Sequence, residues 1–450
     1  MTNTTAGRIG TELRRTVRGA VWEIGDEGYE AARTVWNGAV RHRPAIIARC
    51  ADADDVSSAL RAASRLGLPV SVRGGGHDWA GRAIREGGLV VDLSALRGVR
   101  IDPERAVAEV QGGALASDLL DSAAAYGLAT AAGAVRSVGL VGMAMAGGYG
   151  GLIGRFGLTL DNLLSAEVVL ADGSRVVAGP DSDRELWWAL RGGGGNFGVV
   201  TSARFRLHGL GPVLGGMVAY PHAQARPVLR GYREIIAAAP DELTVMAGFL
   251  TGPGGEPVVF LAPTWSGDQA VGEAAVAPLT RLGTPVMTDL RPMPYPDLLR
   301  MFEAGSAPGN HYALGTRWLP ELTEDGITAL IDGAIGRRSP ASLLAMHQFH
   351  GAATRIASED TAFALRRPHL LAEVIGVWRP GEPEEPHREW IEQTVTAFDR
   401  DALPGGYANI LGPGDTDRLS LGFAANLDRL RAAKRRYDPD DTFTAVAALG

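Results

Sequence analysis

The chain has 450 residues and a single cysteine, Cys50. No disulfide can form within it, and no cysteine-based zinc or iron–sulfur site is possible. Lysine is equally scarce. Lys434 stands alone among 44 basic residues. A P-loop needs Gly-Lys-Ser/Thr, and no such triplet occurs. A Schiff-base lysine could only be Lys434, which the sequence places in a polar Lys-Arg-Arg cluster, a poor setting for a lowered pKa. No run of 18 apolar residues exists, so no transmembrane helix is expected. Arg14-Arg15 is followed by Gly, Arg, Glu and Asp instead of an apolar stretch, which argues against an export signal and for a cytoplasmic protein. The net charge of −7 speaks against nucleic acid and anionic membranes as partners. Composition leaves the oligomeric state open.

Apolar side chains are not scarce. Hydrophobic residues make up 46% and charged residues 21% of the chain, the balance of a folded globular protein. The length suits two or three domains. Glycine is over-represented, at 60 residues against an average of ~7% of a chain. These glycines are clustered.

Asp54-Asp55 opens a helix with Val56, Leu60, Ala63 and Leu66 on one face, closed by Gly67. A strand, Pro69 to Val72, runs into the first cluster, Arg73-Gly74-Gly75-Gly76-His77-Asp78-Trp79. Three glycines after a strand let main chain approach a large anionic group and offer N–H donors to it. His77 stands at the rim of that loop. The second cluster is Ser137-Val138-Gly139-Leu140-Val141-Gly142, continued by Ala146-Gly147-Gly148-Tyr149-Gly150-Gly151. Glycines this dense make a poor helix interior and suit close packing on a ligand. The third, Arg191 to Gly198, contains Gly193, Gly195 and Gly198 in the G-x-G-x-x-G spacing. It is no Rossmann fingerprint, because a helix-like segment precedes it and a strand-like one follows, the reverse of the required order.

Glu167–Leu170, Asp172-Gly173 and Arg175–Val177 form a hairpin pattern. Gly209-Leu210-Gly211-Pro212 marks a boundary, beyond which longer strands mix with helices. His347 and His350 have an H-x-x-H spacing, but three residues apart on a strand they face opposite sides, so they read as ordinary strand histidines and not as metal ligands. Glu373 lies inside the apolar run Leu370 to Trp378. A carboxylate there is costly unless paired or neutral, and desolvation favours the neutral form, which suits a general base near neutral pH. An outward-facing residue or a structural ion pair explains it equally well.

Taken together, Arg73 to His77, Val138 to Gly150, Gly195-Asn196-Phe197-Gly198-Val199-Val200-Thr201, Thr361-Ala362-Phe363, Tyr407-Ala408-Asn409 and Tyr437-Asp438-Pro439 resemble the berberine-bridge-enzyme-like flavoproteins. These belong to the p-cresol methylhydroxylase/vanillyl-alcohol oxidase superfamily. The likeness covers about residues 30–445 and is greatest to bacterial oxidases of secondary metabolism.

The resemblance implies an α+β protein: a two-lobed FAD-binding domain of the p-cresol methylhydroxylase type plus an antiparallel-sheet substrate domain covered by helices. The expected division is an N-terminal extension over 1–40, the FAD-binding domain over 41–210, the substrate-binding domain over 211–400, and a C-terminal segment, 401–450, returning to the FAD domain. It implies FAD contacts from Arg73, Gly74, Gly75, Gly76, His77, Asp78, Ser137, Val138, Gly142, Gly148, Leu152, Val199, Val200, Tyr407 and Asn409. His77 would carry the flavin covalently through its 8α-methyl group. The cysteine that adds a second link in many relatives falls at Val135, so a single link is expected. Val138 matches the family's oxygen-gate position and implies O2 as electron acceptor. Glu373 and Tyr407 match the alternative positions of the catalytic base.

The implied activity is oxidation of an alcohol or related C–H of a small organic substrate, with H2O2 as by-product. A redox-neutral cyclisation or rearrangement, and a non-catalytic flavin binder, stay open. Trp318, Tyr312 and His350 are candidates for lining the substrate pocket. Two departures from the family's pattern stand out: its Asp-Pro-x-Asn-x-Phe reads Asp438-Pro439-Asp440-Asp441-Thr442-Phe443, and the apolar run Thr444 to Gly450 replaces the Asn-rich end that normally follows.

Overall fold

The computed structural model describes residues 3–443 and 449. The elements around the first glycine cluster form as the sequence dictates. The Asp52 side chain accepts hydrogen bonds from the Asp54 and Asp55 N–H groups and caps a helix over Ala53–Leu66. Gly67, at φ 60°, closes it. The apolar stripe of that helix packs on a four-stranded sheet whose parallel members are Ile46–Arg49, Leu89–Asp92 and Val70–Arg73. Ala20–Glu23 adds an antiparallel edge strand, so part of the first forty residues is built into this sheet.

A second sheet takes Val99–Asp102, Val107–Gln111, Val199–Arg206, Leu163–Val169 and Arg175–Ala178, in that spatial order. The last two are the hairpin read from the sequence. The helix Arg184–Leu190 precedes Gly192–Gly195 and the strand Val199–Arg206 follows, which confirms the inverted order at the third glycine cluster.

Beyond residue 212 the architecture changes. A seven-stranded antiparallel sheet is ordered Met287–Met293, Val213–Pro221, Pro257–Trp265, Leu243–Thr251, Leu343–Phe349, His369–Trp378, His311–Leu319. Its strands alternate with period two. Val245, Ala247, Phe249, Val259, Leu261, Leu344, Met346, Ala372 and Val374 point one way, into a core with the helices Ala225–Ala237, Glu324–Gly336 and Glu385–Thr396. The intervening residues point the other way. That opposite face carries Thr244, Met246, Phe260, Thr264, His347, Phe349, His369 and Glu373. His350 lies one residue past its strand and its Nε2 pairs with Thr244 Oγ1 at 3.0 Å.

The C-terminal segment returns to the first half of the molecule through the helix Leu427–Tyr437. Here the structure corrects one reading. Lys434 is not part of an exposed basic cluster but is buried. Its ammonium group bonds the Asn196 carbonyl at 3.1 Å and the Phe443 carbonyl at 2.8 Å, and pairs with Asp438 and Asp441. Asp438 is fully buried and also accepts from the Thr442 and Phe443 N–H groups. One lysine therefore ties the third glycine loop to the chain end. Of the apolar run 444–450, only Leu449 is among the described residues, and it is buried.

Removing one partner of a buried ion pair strands the other. Lys434→Met is expected to lower the unfolding free energy by about 3–5 kcal/mol, read by urea denaturation. A loss below about 1 kcal/mol, the value of an exposed pair, would show that Asp438 does not depend on it.

Candidate active site

The first two glycine clusters meet back to back. A Cβ on Gly75 would lie 2.4 Å from the Gly139 nitrogen, and one on Gly139 would lie 2.6 Å from the Gly75 nitrogen. Only two glycines allow that approach. The contact puts the Gly74–Gly76 loop beside the Ser137–Gly142 loop, which continues as the helix Leu140–Ala146. At Gly142 a Cβ would meet nothing within 4 Å, so this turn faces open space.

His77 sits at that junction. Its Nε2 is 3.1 Å from Ser137 Oγ. Its ring stacks on Trp36 at 4.1 Å between centroids, and Trp36 stacks in turn on Tyr312 at 3.8 Å. Burial pushes the His77 imidazole down to about 4, so it is neutral at physiological pH. Trp36 is the residue the sequence reading missed here. It is bound to the site through space, and no local pattern marks it.

A second group surrounds Tyr407. Its hydroxyl oxygen accepts from the Gly148 N–H at 2.7 Å and from Asn409 Nδ2 at 2.9 Å. Asn409 Nδ2 also reaches the Met143 carbonyl at 3.2 Å. Gly148, at φ 97°, has no room for a Cβ, which would lie 2.1 Å from Thr159 Oγ1. Burial pushes the Tyr407 hydroxyl up to about 12, partly offset by the Gly148 and Asn409 donors and reinforced by the Glu373 charge. Tyr407 is therefore protonated at neutral pH.

Glu373 lies opposite, on the free face of the seven-stranded sheet, between Thr316 and Ala345 on the flanking strands. It is the buried, ion-paired carboxylate that the sequence left as one alternative: Oε2 is 3.3 Å from His347 Nε2. Burial pulls the His347 imidazole down, but the Glu373 charge and hydrogen bond outweigh it and raise His347 above the usual histidine range. His347 thus belongs to the site. Strand parity was the available signal, since its cross-strand diagonal neighbour is Glu373.

Tyr149 and His369 complete this wall. His369 Nδ1 faces the Arg367 carbonyl at 2.8 Å, so Nδ1 carries the hydrogen and Nε2 accepts one from Tyr149 Oη, also at 2.8 Å. Burial pushes His369 down to about 3. Tyr149 packs against Phe349, Phe363 and Tyr407. The second glycine cluster contains Tyr149, but nothing local shows that it turns inward.

The remaining expected residues fall into two groups. Asp78 is occupied by Arg82, with its carboxylate 3.0 Å from the guanidinium, and Arg73 Nη1 donates to the Ala32 carbonyl at 2.6 Å. Arg73 Nε is buried without a partner beside Gly76. The side chains of Leu152, Val199 and Val200 are buried in hydrophobic cores. Cys50 is buried in a core with its thiol pushed up by desolvation, and is no candidate for a covalent link. Among the described residues no cluster suits a metal ion, and no helix is long and apolar enough to cross a membrane.

Buried neutral histidines make the fold acid-sensitive. His77, His208 and His350 are pushed to about 4 and His369 to about 3, against 6.5 for a free imidazole. The unfolded chain takes up these protons first. Their stabilisation is complete above pH 6.5 and is lost as the pH falls toward 4. Urea denaturation across that range should show the fall, and His369→Gln should flatten it. His347 has the opposite sign, contributing below the free-imidazole range and fading as the pH rises through its raised value.

Comparison with known proteins bears on the cofactor. A family model described as an FAD binding domain matches residues 44–179. The chain is 40% identical over 205 residues to (R)-6-hydroxynicotine oxidase of Paenarthrobacter nicotinovorans. That match covers 46% of this chain and 44% of that protein, less than half of its length. It is 29% identical over 430 residues to the FAD-linked oxidoreductase aurO of Gibberella zeae, covering 93% of this chain and 83% of that one. Among solved structures, BBE-like 1 of Physcomitrella patens superposes with a TM-score of 0.89 at 22% identity, over 98% of this chain and 99% of that chain, and so has the same fold. The glycine junction with its open turn at Gly142 and the unpartnered Arg73 nitrogen fit a large anionic cofactor of this kind, and the chain is an FAD-linked oxidoreductase with the fold of the berberine-bridge-enzyme-like proteins.

Proposed function

We propose that the protein is an oxidase that removes a hydride and a proton from an alcohol, or a related C–H, of a small organic substrate of the natural-product type. FAD, held by the Gly74–Gly76 and Ser137–Gly142 loops and linked once through His77, would accept the hydride and be reoxidised by O2 to give H2O2. The observation that carries this reading is the placement of one carboxylate, Glu373, on the helix-free sheet face near Tyr407, which feels its charge and whose hydroxyl accepts from Gly148 of the second glycine cluster.

Each group then has a task. Glu373 takes the substrate's O–H or N–H proton on a carboxylate oxygen, with Oε2 steadied by His347. His347, whose Nε2 lies 3.3 Å from Glu373 Oε2 and whose imidazole the Glu373 charge raises above the usual histidine range, is a positioning residue. Tyr407 is the weaker choice of base. Its oxygen already accepts two hydrogen bonds and its proton is held up to about 12. It suits donation of a hydrogen bond to the substrate oxygen instead. Tyr149 spends its proton on His369 and forms an apolar wall with its ring. His77, neutral and held by Ser137 and Trp36, is a ready nucleophile for the covalent link. The comparison with a hydroxynicotine oxidase supports an oxidase acting on a small organic molecule.

Two measurements check this reading. Acid precipitation of the purified protein should leave the yellow colour in the pellet for the wild type and release it for His77→Ala. Colour released from the wild type would refute the covalent link. With a reducing substrate in hand, Glu373→Gln should slow flavin reduction by about 10²–10⁴-fold. Tyr407→Phe should slow it less. Equal rates in Glu373→Gln and wild type would remove Glu373 from the chemistry.

A further inference from the structure

Resting on that reading, we infer that the site selects a compact, uncharged, mainly apolar ring compound carrying one oxidisable alcohol, and excludes oligosaccharides. The cleft between Gly150–Gly151 and the free face of the seven-stranded sheet is lined by Thr244, Met246, Thr264, Leu298, Phe302 and His347. Its apolar side continues into a cluster of Met217, Phe260 and Ala262, with Met246, Leu250, Met301 and Phe302 packed against it. This cluster is separate from the helix-covered core of the same sheet. Parity explains it: these residues occupy the strand positions between the core-facing ones. Methionine and phenylalanine facing a cleft favour apolar ring surface, and the flexible thioethers adapt to its shape.

The polar side of the cleft is largely committed. Thr244 is engaged by His350, and His347 by Glu373. Gln348, although it borders the cleft, spends its amide on the Val245 N–H and the Ile236 carbonyl. Among the described lining residues, Thr264 keeps a hydroxyl with no protein partner. A sugar has a hydroxyl on nearly every ring carbon. Entering this cleft it would give up hydrogen bonds to water and find few in return, at a cost that rises with each hydroxyl. A ring compound with one alcohol has one such group, which Thr264 in the cleft and Glu373, paired with the lining His347, would meet.

The reaction balances with one alcohol and one O2 giving one carbonyl compound and one H2O2. The C–H bond would break with its electron pair leaving as hydride, for which bound FAD would supply the acceptor. The O–H proton goes to Glu373, and the carbon–oxygen bond becomes double. O2 then takes up the two electrons and two protons that the alcohol has lost.

The test uses the FAD-loaded protein and two probe sets. The apolar set is 1-indanol and perillyl alcohol, with 1-indanone as a redox-inert analogue. The sugar probe is xylobiose. Binding is read from perturbation of the flavin's visible band, and oxidation from anaerobic bleaching of that band. The expected result is binding of 1-indanone, and bleaching by at least one of the two alcohols, at concentrations where xylobiose does neither. Met246→Asn should weaken 1-indanone binding roughly tenfold, the effect of losing most of one buried apolar contact, while Met246→Leu should retain it. Xylobiose binding more tightly than 1-indanone, or no response to any apolar probe, would overturn the inference. So would a Met246→Asn variant that is folded and binds 1-indanone like the wild type. A protein that takes up no FAD would instead refute the proposed function itself.

Discussion

Everything at the candidate site depends on the two-faced character of the seven-stranded antiparallel sheet. Successive side chains must point to opposite faces. Here one face is sealed by three helices around an apolar core, and that burial holds the strands in register. The other face is thereby free to carry groups that a core would not tolerate: a carboxylate, two histidines and threonines, set among methionine and phenylalanine. A one-residue slip would exchange the two sets, placing Glu373 in the core and Val374 in the site. Burying the helix-covered face is therefore also what aims Glu373.

The glycine clusters act by a different constraint, the absence of side chains. Gly75 and Gly139 let two loops touch through their main chains, and this contact brings Ser137 to His77. Gly148 lets its N–H reach the Tyr407 hydroxyl across 259 residues of sequence. The third cluster is held by a charge. Lys434 bonds the Asn196 carbonyl and Asp438 together, so the chain end is bound to the glycine loop by the single lysine of a protein that otherwise uses arginine.

Charge states divide the histidines by task. His77, His350 and His369 are desolvated without a carboxylate in contact, and are neutral. A neutral imidazole can act as nucleophile or acceptor, as His369 does toward Tyr149. His347 alone has Glu373 beside it and is driven the other way. Residues in similar strand segments thus differ in charge because of one neighbour, three-dimensionally close and 26 positions away.

Local physical chemistry determined much of this from the sequence alone. Asp52 and Gly67 bound their helix, the Asp172-Gly173 turn closes its hairpin, and the order of helix and strand around Gly193–Gly198 excludes a Rossmann fingerprint there. The glycine loops with His77, and Glu373 inside its apolar run, stood out from local pattern alone, whereas Tyr407 and Asn409 were picked out only by the resemblance. Tertiary structure decided the rest. The sequence could not show that Trp36 would stack on His77, that His347 would be a partner of Glu373, that Tyr149 would donate to His369, or that Lys434 would be buried. Local composition even pointed the wrong way for Lys434, whose arginine neighbours suggest a solvated surface. The physical reason is common to all four. Parity and propensity fix which way a side chain leaves its own element, while the group it meets there belongs to a distant segment brought close by packing.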